Sequence, residues 1–126
     1  MKRAIKTALA VFMVGPALSQ DGQTITLLDL KAEPQTYAGK IVRVPGTIHG
    51  ANRNGAYLAA EFEGRGYASV LIRWSDKTTD DFRYAMRECG SVNTEKCAVM
   101  ATGKVTEQKY SKGEYELTDI KLVFVK

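Results

Sequence analysis

Hydrophobic residues alternate with period two along five stretches of this chain, and between the third and the fourth the period changes once to that of a helix. From Lys40 to His49, Val42, Val44, Gly46 and Ile48 share one face, while Ile41, Arg43, Pro45 and Thr47 share the other, as in a half-buried strand. Ala56 to Phe62 repeats the pattern with Leu58, Ala60 and Phe62, and about Ala68 to Trp74 repeats it with Val70, Ile72 and Trp74. After Ser75 the apolar positions are Phe82, Ala85, Met86 and Cys89, which lie on one face of a helix. Thr79 or Thr78 is its N-cap, Asp80 and Asp81 suit its N-terminal dipole, and Gly90 ends it. Alternation returns in Cys97, Val99, Ala101, Gly103 and Val105, then in Tyr115 to Val125 with Leu117, Ile120, Leu122 and Phe124 as core positions. The phase break between Leu117 and Ile120 predicts a bulge near Asp119.

The connections fit this division. Thr26 caps a short helix over Leu27 to Ala32 that Pro34 interrupts, and Gly50 to Gly55 is a turn between antiparallel strands. Lys109 to Glu114 reads as a polar hairpin loop. Gly46 inside a strand implies a bend or the close approach of another backbone, and Pro45 beside it implies a bulge or an edge.

Three strands, a helix and two strands, after a short N-terminal helix, is the element order of a five-stranded Greek-key barrel with its helix between strands three and four, the oligonucleotide/oligosaccharide-binding (OB) fold. The segment from Pro34 to Ile48 also resembles the opening of small bacterial OB-fold proteins of the nucleic-acid-binding-like group. There, a helical turn and a Tyr-x-Gly-Lys step, here Tyr37-Ala38-Gly39-Lys40, lead into a first strand with a central glycine. At the level of element order the resemblance spans nearly all of residues 20–126, and it implies a single mainly β domain.

Residues 1–19 have the order of a cleavable signal peptide: Lys2, Arg3 and Lys6, an apolar stretch from Ala8 to Val14, then Gly15, Pro16 and Ala17-Leu18-Ser19. A membrane-spanning helix needs about 20 apolar residues, and no run of that length occurs. A periplasmic or secreted protein is expected. Loss of the leader leaves 15 basic against 14 acidic residues, so the formal net charge falls from +4 to +1 and high pI stops arguing for a polyanion partner. In an oxidising compartment Cys89 and Cys97 are expected to form a disulfide. Two thiols and the single His49 are too few to bind a metal, and no cofactor is implied.

The OB ligand surface is the face of strands two and three, bounded by the loops between strands one and two and between strands four and five. Its candidates here are Asn52, Arg53 and Asn54, then Tyr57, Glu61, Leu71 and Arg73, then Lys109, Tyr110 and Lys112. Arg53, Arg73, Lys109 and Lys112 are the cations and Tyr57 and Tyr110 the stacking platforms that a single-stranded nucleic acid would need. Two tyrosines on a nearly neutral chain give that ligand weak support. His49 at a strand end and the pair Glu61 and Glu63 make no catalytic constellation, and the acidic and arginine cluster of calcium-dependent OB nucleases is missing. The expectation is an exported, non-enzymatic binding module for a small ligand, a glycan or an envelope protein. An oligomeric glycan binder like a toxin B-subunit and a single-stranded nucleic-acid binder are the alternatives.

Overall fold

The structure, a computed structural model, describes residues 22–61, 64, 66–92 and 95–125; the expected signal peptide, and Phe62 and Glu63, lie outside them. The elements in chain order are β1 (Gln23–Thr24), α1 (Leu27–Ala32), α2 (Pro34–Tyr37), β2 (Ile41–His49), β3 (Gly55–Glu61), β4 (Tyr67–Arg73), α3 (Asp80–Glu88), β5 (Ala98–Gln108) and β6 (Ser111–Phe124). The protein is mainly β, with one six-stranded mixed sheet and three helices.

The sheet order is β1-β2-β3-β4-β6-β5, and β5 pairs again with β2, so the pairings of the five longer strands run round a ring. Seven residues of β2 take part in the β2–β5 ladder, which runs from Ile41 opposite Lys104 to Thr47 opposite Ala98. The weak joint is β4–β6, which is parallel and holds only Leu71 opposite Glu116 and Ile72 opposite Leu117. Helix α1 packs against β4 and buries Leu27 and Leu30 to 1% exposure. Its start is a capping box: the Asp29 N–H donates to Thr26 Oγ1 at 3.0 Å, and the Thr26 N–H donates to the Asp29 carboxylate at 3.4 Å. Pro34 then starts the separate turn of α2, where its missing N–H costs nothing.

Most of the inward positions read from alternation form the core: Val42, Val44 and Ile48; Leu58; Val70 and Ile72; Val99, Ala101 and Val105; Leu117 and Leu122; Ala60, Ile120 and Phe124 are only partly buried and pack against it. A Cβ on Gly46 would meet the Ala59 carbonyl oxygen and Leu58 Cδ1 at 2.8 Å, which is the close backbone approach its position implied. The expected bulge is present: one residue is gained on β6 between Thr102 opposite Lys121 and Lys104 opposite Thr118, and Asp119 turns left-handed at φ 53°.

Four expectations are corrected. The two-residue strand β1 was not foreseen; it pairs in parallel with Val42 and Arg43, and the Ile25 N–H continues the ladder to the Arg43 carbonyl. Lys109 to Glu114 is not a loop, because β5 runs to Gln108 and β6 starts at Ser111, leaving Lys109 and Tyr110 as the turn. Gly113, left-handed at φ 85°, lies in the register irregularity between Glu107 opposite Tyr115 and Gln108 opposite Ser111, and its N–H donates to the Glu107 carboxylate at 2.8 Å. Met86 is exposed, since the short helix α3 turns Phe82, Ala85 and the following Cys89 inward and leaves Met86 on its flank.

Trp74 is half-buried beyond the end of β4 rather than fully in the core. Its ring meets Phe82 edge-on at 5.3 Å, and its indole N–H donates to the Asn52 carbonyl at 2.7 Å. Trp74→Phe keeps the ring contact and loses that bond, so urea unfolding should show a loss of about 1 kcal/mol, with an unchanged midpoint counting against the role.

Candidate functional site

The turn between β2 and β3 is built by Asn52. Its Oδ1 accepts from the Asn54 N–H at 2.8 Å and the Gly55 N–H at 3.3 Å, and its Nδ2 donates to the Gly50 carbonyl at 3.3 Å. These bonds hold the amide to its own turn, as Asn does when its side chain mimics a backbone turn. Arg53 and Asn54 are exposed at the tip. Gly55 stands opposite Arg73, so this turn and Arg73 come together at one end of β4. The guanidinium of Arg73 is paired with the Glu116 carboxylate at 3.3 Å, which leaves it little net charge to offer a ligand.

Tyr57 is 47% exposed and lies opposite both His49 and Leu71. Its ring stacks on the His49 ring with centroids 5.7 Å apart and an interplanar angle of 24°. Lys109, Tyr110 and Lys112 are elsewhere. Glu116 is level with Leu71, and from there back to Lys112 β6 runs about 13 Å at about 3.3 Å per residue. Tyr110 is 90% exposed on the turn, with the Lys109 ammonium 5.5 Å from its ring centre. The eight candidates therefore fall into two groups at opposite ends of the strands, with Tyr57 between them.

What the fold does assemble on the outer face of β2, β3 and β4 is an open groove of about 750 Å³. Its floor is made of small residues, Gly46, Ala59, Ala60 and Ser69. His49, backed by Tyr57, stands at one end and Tyr67, 74% exposed, at the other, while Val92 from the loop after α3 contributes to the wall. Glu61 is the one acidic group among the described lining residues, and none of Arg53, Arg73, Lys109 and Lys112 reaches it. Tyr67 was missed by sequence reasoning, and His49 was weighed only as a base and as a metal ligand. The available signal was the outward phase both share with Ala59 and Ser69.

Neither a scan against protein-family models nor a comparison with curated proteins finds a match for this chain. The geometry has to carry the functional reading.

Two further grooves flank β6 beside the Trp74–Thr79 connection and α3. There the Asp76 carboxylate accepts from the Thr78 hydroxyl at 2.6 Å and the Thr78 N–H at 2.8 Å, and these bonds hold its pKa below the usual carboxylate value. Partial burial, with Asp80 alongside, pushes Asp81 up against the opposing pull of Lys121. No group of three or more His, Cys, Asp or Glu able to hold a metal occurs among the described residues. Among those residues, too, no helix is long and apolar enough to cross a membrane.

Proposed function

We propose that the protein is an exported, non-enzymatic binding module of the OB type, and that its ligand site is the groove across β2, β3 and β4. The ring of strand pairings, with α3 between β4 and β5, supports the OB reading. The disulfide between Cys89 and Cys97, whose Cα atoms are 5.9 Å apart, suits an oxidising compartment.

The observation that carries the ligand reading is the small-residue floor between aromatic rings at its two ends, with no described cation in the lining. A ring with an apolar face can lie on that floor and stack on Tyr67 or His49, while Thr47, Ser69 and Glu61 offer polar partners. Neutral glycans have this make-up. A nucleic-acid strand needs cations along its backbone, and here the cations stand outside the groove.

The test is an NMR titration of the folded protein with chitotriose and, in parallel, with an oligothymidylate. Chitotriose should shift the amides of Thr47, Ala59 and Ser69 without being cleaved, and Tyr67→Ala should weaken it about tenfold, the scale of one lost aromatic contact. Tighter binding of the oligothymidylate, or shifts confined to the Lys109–Lys112 hairpin, would sink the reading.

A further inference from the structure

The groove across β2, β3 and β4 carries its charge at one end. Glu61 is the last residue of β3 and stands directly opposite Tyr67, the first residue of β4. Both line the groove and both are exposed, Tyr67 to 74%. Residues opposite each other on antiparallel strands have Cβ atoms about 5 Å apart, so the carboxylate and the phenol ring border one small volume. Elsewhere on the molecule, carboxylates are held by the protein: Glu116 pairs with Arg73, Glu88 with Lys96, and Glu107 accepts from the Gly113 N–H. The Glu61 side chain has no hydrogen-bond or ion-pair partner among the described residues.

No described group in the lining offsets this charge. The lining holds no Lys or Arg, and His49 is its one other side chain able to ionise near neutral pH. His49 is level with Tyr57, and Glu61 lies four residues further along β3, which is about 13 Å at about 3.3 Å per residue. That separation exceeds the screening length of about 8 Å in physiological salt, so a protonated imidazole still leaves the Glu61 end negative. A carboxylate beside an open aromatic face suits a cation, which pairs with the acid and lies over the negative face of the ring.

We propose that the Glu61–Tyr67 end receives a protonated amine, and that the ligand is a glycan with a free amino sugar at that end. This rests on the groove being a glycan site and assigns the chemistry of one sugar unit. The small-residue floor selects a sugar over a linear polyamine: a pyranose lays its apolar face on Ala59 and Ser69 while its ammonium reaches Glu61, whereas a flexible chain leaves the floor uncovered. Toward His49 the lining is uncharged apart from the imidazole, so the units there are neutral.

NMR titration of the folded protein with chitotriose and with its fully deacetylated form, the glucosamine trimer, tests this under conditions that keep the amines protonated. Both contacts are solvent-exposed, so the glucosamine trimer should bind about fivefold more tightly, with the largest shifts at the amides of Glu61 and Tyr67. Glu61→Gln keeps the shape and a hydrogen-bonding oxygen but not the charge, and should bring the two trimers within about twofold of each other; added salt should erode the preference in the parent protein. Chitotriose binding in the groove as tightly as the deacetylated trimer would overturn the amine assignment and leave the glycan site standing. A preference that survives Glu61→Gln would overturn it as well, by placing the amine elsewhere. Tighter binding of trilysine than of the glucosamine trimer would mark a site for any cation and overturn the amino-sugar assignment. Absence of groove shifts with either trimer would overturn both the amine and the glycan readings.

Discussion

Gly55→Ala is expected to lower the free energy of unfolding by about 3 kcal/mol, the upper part of the range for overpacking. Gly55 opens β3 opposite Arg73, and a Cβ there would run into the carbonyl oxygen of Ile72 on the neighbouring strand. That atom is backbone, so no rotamer change relieves the clash; β3 must part from β4 or the turn must open. Opening the turn breaks the bonds that join Asn52 and Gly55, including the Asn52 N–H to the Gly55 carbonyl at 2.9 Å. Gly90→Ala is the control. Nothing lies within 4 Å of its Cβ position and its φ is ordinary, so the change should be neutral or stabilise by about 0.5 kcal/mol through the unfolded chain. Urea unfolding of both variants decides the matter: equal midpoints for Gly55→Ala and the parent protein would refute the close approach.

The contrast between these two glycines shows where a sequence stops being informative. Both end or begin an element, and the difference between them is the position of a carbonyl on another strand. Local pattern did locate what local physics determines. The period of two placed β2 to β6, the capping residues placed α1 and α3, and a single phase break marked the bulge at Asp119. β1 escaped because Gln23 and Thr24 are polar, exposed and only two residues long, so they have no periodicity to read. Met86 satisfied the helical spacing and still lies outside, because spacing does not say how wide a stripe a nine-residue helix buries.

The candidate site was less legible, for a reason that lies in register. Whether Lys109 and Tyr110 join Asn52 and Arg53 depends on which residue of β6 stands level with Leu71, and that pairing connects positions distant in the chain. The partner of Arg73 is equally non-local: Glu116 cancels a charge that looked available. The groove itself mixes two phases: Ala59, Ser69 and Tyr67 are outward positions that alternation labels only as not core, and Gly46 and Ala60 are inward ones that stay partly exposed. Gly46, Ala59, Ala60 and Ser69 become a floor because β2, β3 and β4 lie side by side and the side chains there are small.

Removing the disulfide, by Cys89→Ala with Cys97→Ala, is expected to cost about 2.5 kcal/mol, the chain-entropy value for closing a loop of this size. The sequence separation is 8 residues, so the loop is short, but the bond ties three elements together. The Cys89 carbonyl accepts from the Ala51 N–H at 3.0 Å, and the Cys97 carbonyl accepts from the Ile48 N–H at 3.0 Å. The end of α3, the end of β2 and the start of β5 therefore meet at one point. Both cysteines have 0% exposure, so the alanine pair also leaves a small void, and the loss should not fall below the entropic value. Burial has a kinetic consequence as well. A thiol reagent cannot reach either sulfur in the folded state, so reduction by dithiothreitol should be slow in water and accelerate with urea in step with unfolding. Thiol counting against urea concentration checks the rate, and thermal unfolding of the alanine pair checks the energy. Rapid reduction in the absence of urea would show that the bond sits at a mobile surface, and an unchanged melting temperature would show that the junction of α3, β2 and β5 holds without it.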